Sequence, residues 1–148
     1  MKKNLSGLIV FILVMTTSTF ATNIEGSISK KALTTFSSMY GDIKEVKWER
    51  SEDFIKASFT KDDHAHFAFF TPSGELMGTC INLSPVELPV FLQSELKRYR
   101  GESWVSELFE FTKDDETSYF VTIENADQKV VLKSSDYANW TRYSKTIK

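Results

Sequence analysis

The side chains best suited to chemistry are few. His64 and His66 are the only histidines of the chain. At positions i and i+2 of a strand they share a face, so both imidazoles can reach one ion. Asp62 and Asp63, just before them, could add carboxylate ligands to a zinc or copper shell. Two histidines exclude a three-histidine centre. Polar side chains on a solvent-facing sheet surface need no ion, so a periplasmic small-ligand or metal-binding protein using His64 and His66 is the alternative reading and not the main one. Glu52-Asp53 and Asp114-Asp115 pair carboxylates, the material of general acid–base catalysis. Both pairs fall at hairpin-turn positions, where neighbouring side chains point apart into water. The chain has no Gly-rich phosphate loop, Gly-x-Ser-x-Gly elbow, His-Glu-x-x-His or Cys-x-x-Cys. The expectation is a protein that is not an enzyme and carries no cofactor.

Aromatic residues are the stronger lead. Twelve Phe, five Tyr and three Trp stand in 148 residues. One sheet face and two helices can bury many of them. Strand alternation leaves Phe54, His64, His66 and Phe70 on the other face, and exposed aromatics on a sheet are the usual anchors of protein interfaces. The predicted partner-binding set is therefore Phe54, His66 and Phe70 with the neighbouring turn Ser51, Glu52 and Asp53. Cys80 is the single cysteine, which excludes an internal disulfide. It reads as a small buried apolar residue, since no cation lies near it in sequence to lower its pKa.

The elements that must position these residues recur twice. Residues 30–83 read as a helix and four short alternating strands, and residues 89–147 read the same way. Leu33, Phe36 and Tyr40 form the stripe of the first helix, with Ser29 as N-cap and Gly41 as the stop. Leu88, Leu92, Leu96 and Tyr99 form the stripe of the second, which begins near Pro89 after a Ser84–Glu87 capping box. Turn signals about ten residues apart make the strands hairpin neighbours. On the third strand, Ala65, Phe67 and Phe69 are expected to face the helices. The fold class is α+β: a tandem repeat of helix plus four-stranded antiparallel meander, with both helices on one face of a shared curved sheet.

Residues 1–21 read as a signal peptide. Lys2 and Lys3 precede the apolar run Leu8–Met15, and Thr19-Phe20-Ala21 supplies a cleavage site. That run is too short to span a bilayer, which needs about 20 apolar residues. Residues 22–28 read as a flexible lead-in, 29–83 as the first α/β repeat and 84–148 as the second. Cleavage would remove two lysines and leave 16 basic against 20 acidic side chains. A mildly acidic, interspersed surface gives no footprint for nucleic acid. No second apolar run is long enough for a membrane span in the mature chain.

The phrases Tyr40-Gly41, Val46-Lys47-Trp48-Glu49, Ile55-x-Ala57-x-Phe59 and Phe69-Phe70-Thr71-Pro72-Ser73-Gly74-Glu75-Leu76 resemble the PepSY-like family of exported bacterial proteins. Leu88-Pro89 and a helix ending in Tyr99 match the second repeat of that family. The resemblance covers most of the mature chain and implies a fold similar to β-lactamase-inhibitor protein. It further implies a concave sheet face and hairpin loops that grip a protein. The combined expectation is a periplasmic or secreted, non-enzymatic binding module with an unidentified protein partner, of which a hydrolase is one candidate class. Export has a direct check: the intact mass of the exported protein should place its first residue within a few positions of Thr22. A mass that still includes residues 1–21 would reject the signal-peptide reading.

Overall fold

The computed structural model describes residues 28–148. The signal peptide and residues 22–27 of the lead-in lie outside the described residues. Ile28, the last residue assigned to the lead-in, is instead buried against the first helix's cluster.

Helix α1 spans Lys30–Tyr40 and is followed by strands β1 (Lys47–Arg50), β2 (Ile55–Lys61), β3 (His64–Phe70) and β4 (Leu76–Asn82). A single 3-10 turn, Pro85–Glu87, leads into helix α2 (Val90–Arg100). Strands β5 (Trp104–Lys113), β6 (Glu116–Glu124), β7 (Gln128–Ser134) and β8 (Thr141–Ile147) complete the chain. All eight strands form one antiparallel sheet in sequence order, β1 to β8. Short turns explain the meander. Asp62-Asp63 and Asp114-Asp115 each close a two-residue hairpin with both φ values positive, between 51° and 63°. That is the conformation a type I′ turn requires and that Asp tolerates.

Both helices lie on the same sheet face. Ala32 and Phe36 of α1 pack on Ile55, Ala57, Phe59, Ala68 and Phe70. Leu92 and Leu96 of α2 pack on Leu108, Tyr119, Val121, Ile123 and Leu132. Cross-strand register places these residues in continuous rows across β2 to β7. Trp140 pins α2 from below, donating its indole N–H to the Leu92 carbonyl at 3.0 Å.

Three expectations of the sequence reading are corrected. Leu33 is 38% exposed and Tyr99 is 48% exposed, although both were placed in the core. The buried line of α1 runs through Ala32 and Phe36, about one residue around the helix from the Leu33 stripe. Tyr99 sits at the margin of α2, where its hydroxyl donates to the Trp140 carbonyl at 3.1 Å and leaves the ring half in water. Ser29 occupies the N-cap position without a side-chain cap; its hydroxyl donates to the Ser73 carbonyl.

That last bond belongs to a clamp. The Thr71–Glu75 turn sits against the first turn of α1, and Lys31 pairs with Glu75 at 3.0 Å. Gly74 has φ +94°, and a Cβ there would lie 2.5 Å from Ser29 Oγ and 2.6 Å from the Ala32 nitrogen. No side chain fits. Gly74→Ala should therefore cost about 1–3 kcal/mol, the usual range for overpacking, read by urea denaturation. A loss below about 0.5 kcal/mol, typical of a neutral surface change, would show that the turn is not clamped on α1.

Candidate interaction surface

Alternation gives β3 two apolar faces, and the structure assigns them opposite to the sequence reading. Ala68 and Phe70 face the helices; Phe67 and Phe69 face away. Phe70 is fully buried beneath α1 with its ring 6.0 Å from that of Trp48. It was expected on the open face and is core. His66 also turns to the helix side and stacks on Phe59, ring centroids 5.3 Å apart. Burial pushes its pKa down. Phe54 does lie on the face away from the helices, but it is only 5% exposed and packs on Phe69.

The two histidines do not share a site. The His64 Nε2 lies 2.6 Å from a Glu87 carboxylate oxygen, and its Nδ1 lies 2.7 Å from the Asp62 carbonyl. Both ring nitrogens are occupied while those contacts stand, and His66 is engaged with Phe59. Among the described residues no three His, Cys, Asp or Glu side chains converge on a point. No third ligand is thus added to His64 and His66 among the described residues.

The turn Ser51–Asp53 is where the sequence puts it. The Ser51 amide donates to the Phe54 carbonyl at 2.9 Å, and the Phe54 amide donates to Ser51 Oγ at 3.1 Å. Glu52 and Asp53 are exposed at the tip. Phe54 acts as the root of this turn, holding it to the sheet face.

That face carries a single apolar cluster. Phe54, Phe69, Cys80, Phe109, Phe111, Phe120 and Val131 form it, with Phe67, Met77 and Tyr143 half-buried around them. Phe109 and Phe120 stack at 5.2 Å, and Tyr143 meets Phe120 edge-on at 5.6 Å. Cys80 is in its centre, and burial pushes its thiol up to about 12, so it is not a reactive thiol. The buried residues of α1 and α2 all belong to the two clusters on the opposite face.

Lysines rim the cluster. Lys56 lies over the Phe67 ring and pairs with Glu49 at 2.6 Å. Lys133 lies over Phe120. Burial raises the Glu49 carboxyl, but the hydrogen bonds from Lys56 and Lys47 outweigh it and hold the carboxyl below its usual value. The Lys56–Glu49 pair is largely covered, its side chains 18% and 28% exposed.

The sequence reading missed Phe109, Phe111 and Phe120 as members of this face, and it missed a second feature. Val86, Val90 and Phe91 are 78%, 73% and 72% exposed. Val86 is on the 3-10 turn, and Val90 and Phe91 open α2. The Leu88-Pro89 phrase signalled the turn, but nothing in periodicity signals that its large apolar residues stay outside.

No protein-family model matches the chain, and no curated protein matches it. Solved structures do. A protein of Bacteroides eggerthii provisionally described as periplasmic shares 10% identity at a TM-score of 0.70, over 80% of this chain and 87% of that one. A DUF2874 family protein of Bacteroides ovatus shares 16% identity at 0.69, over 80% and 86%. A BLIP-like protein of Bacteroides fragilis shares 19% identity at 0.66, over 80% and 85%. Identities this low establish a common fold, that of one antiparallel sheet with two helices. Among the described residues no helix is long and apolar enough to cross a membrane.

The reassignment of β3 carries a measurable consequence. Phe70→Ala should cost about 3–5 kcal/mol of stability, as expected for a buried phenylalanine, measured by chemical denaturation. A cost under about 1 kcal/mol would place Phe70 outside the core after all.

Proposed function

We propose that this chain is an exported, non-enzymatic module that binds a protein through the sheet face opposite the helices and the hairpin turns at its margin. The observation that carries the reading is the aromatic cluster itself. Seven Phe and Tyr rings stand on the one sheet face that α1 and α2 leave alone. Aromatic side chains with a charged rim are what interfaces use as anchors. Phe67 and Tyr143, being half-buried, are the rings best placed to gain contact. Glu52 and Asp53 stand at a turn rooted in the same cluster through Phe54. Of the expected set, Phe70 and His66 are withdrawn from this surface, because both face the helices.

Likeness to a protein described as periplasmic, together with the Lys2–Ala21 pattern, supports a periplasmic or secreted location. Likeness to a BLIP-like protein supports a grip on another protein, with hydrolases the first class to try. The repeated order of helix and four strands supports an origin by duplication of one unit, with the boundary between residues 83 and 84.

The test is affinity capture from periplasmic extract with wild-type protein and two variants. Phe67→Ala, and separately the charge reversal Glu52→Lys with Asp53→Lys, should weaken capture of the same partner by roughly 1–3 kcal/mol each, the scale of interface anchors. The charge reversal should leave thermal stability within about 0.5 kcal/mol, as for an exposed turn. Capture unchanged in both variants, or no reproducible partner, would defeat the reading.

A further inference from the structure

His64 stands at the junction of the two halves. Its ring lies between the β2–β3 turn and the 3-10 turn that leads to α2. Nδ1 faces the Asp62 carbonyl at 2.7 Å, and Nε2 faces Glu87 Oε1 at 2.6 Å. A backbone carbonyl has no proton to give, and neither does an ionised carboxylate. Both contacts therefore need an N–H on the imidazole side. A neutral imidazole carries one N–H and the imidazolium carries two. Only the cation satisfies both partners at once.

Glu87 is the hub on the other side. Its second oxygen accepts from the Ser84 amide at 2.7 Å and the Ser84 hydroxyl at 2.6 Å. Gln93 then ties the same turn to α2 by donating to the Val86 and Leu88 carbonyls at 3.0 and 2.8 Å. Val86 stands exposed on this turn, and Val90 and Phe91 begin the helix it leads into.

We propose that His64 is a proton-dependent latch that fastens the inter-half turn to β3 as an imidazolium and releases one attachment as a neutral ring. With the latch closed, Val86 is presented in one arrangement. With it open, the turn keeps Gln93, the Ser84–Glu87 box and the buried Leu88. The inference rests on the turn's own geometry and does not depend on the binding face proposed above.

The charges around the ring favour the closed state. From the β2–β3 turn, Asp62 and Asp63 face it along with Lys61, which pairs opposite His64 across the hairpin. On β3 the nearest titrating neighbour is His66, and on the 3-10 turn it is Glu87. The Glu87 hydrogen bond, then the Asp62 carbonyl, raise the His64 pKa above its usual value. Ser84's hydroxyl and amide, then His64, hold Glu87 down at about 2. Glu87 thus stays ionised throughout, and the imidazole is the group that switches. A raised folded-state pKa means the latch is fully closed below the ordinary histidine range. It opens as pH rises through the folded-state value.

Imidazole NMR on the intact protein tests this, with backbone amide shifts as the second readout. His64 should titrate above His66, and Glu87→Gln should lower the His64 value by roughly one unit, since it removes a charged partner. The Val86 amide shift should move between about pH 5.5 and 8.5 with the His64 midpoint. In His64→Gln it should be flat with pH. Three results would each overturn the latch: His64 titrating below His66, an unchanged His64 titration in Glu87→Gln, or a Val86 amide shift that ignores the His64 midpoint in the wild type.

Discussion

One short ladder joins the first four strands of the sheet to the last four. Thr79, Cys80, Ile81 and Asn82 of β4 pair with Thr112, Phe111, Glu110 and Phe109 of β5. Without that ladder there are two small meanders, each with one helix, and small units of this size bury too little surface to be secure alone. With it, rows of side chains run unbroken from β2 to β7, and both faces become continuous. The ladder also dictates the local sequence. Phe111 lays its ring on Gly78, where a Cβ would come within 2.7 Å of two ring carbons. Cys80 sits next to Phe111 across the seam, a small side chain between large ones. The seam is thus packed by one bulky ring against two minimal residues, which lets the strands approach without a gap.

Because the sheet is continuous, the placement of the helices settles the character of both faces. α1 and α2 dock on one side and divide its core into two clusters. The aromatic side chains that alternate away from them pack on one another, with lysines over Phe67 and Phe120. Among the described residues Cys80 is taken up by burial, His64 by its two acceptors and His66 by stacking on Phe59.

Much of the fold was legible in the sequence, for physical reasons that also mark the limit. α1 was read with its observed ends because Gly41 follows a clean amphipathic run, and its amide closes onto the Ser37 carbonyl. The strands were read within a few residues because the turn residues are strong, Asp-Asp, Ser-Glu-Asp and Thr-Pro-Ser-Gly. The facing of β3 was not legible. In His64–Phe70, phenylalanines stand on both sides, so alternation has no polar face to point outward. Buried-on-both-faces strands read as continuous apolar runs, and nothing local decides which phenylalanine meets a helix. That single reversal moved Phe70 and His66 out of the predicted site. The rotation of α1 has a related cause. Its buried line uses Ala32, because the Gly74 turn crowds close to the backbone there, whereas the sequence reading favoured the larger Leu33.

The residues at the junction were least legible of all, since their partners are far apart in the chain. His64 and Glu87 are separated by 23 positions, and Ser84–Glu87 reads locally as an ordinary capping box. The box accounts for one carboxylate oxygen; the strand ladder alone brings the other to His64. A local motif thereby gains a long-range partner only after β3 and β4 pair. This ordering has a mechanical meaning. The box can form in the isolated turn, but the link to β3 exists only in the assembled first half. The junction therefore reports on whether that half is folded, and it holds α2's entry at a fixed distance from β3 only when it is. Val86, Val90 and Phe91 stand exposed on that entry, while Leu88 among them is buried in α2's cluster. Leu88 therefore anchors the turn from the helix side, and the His64 link is the attachment that a proton can change.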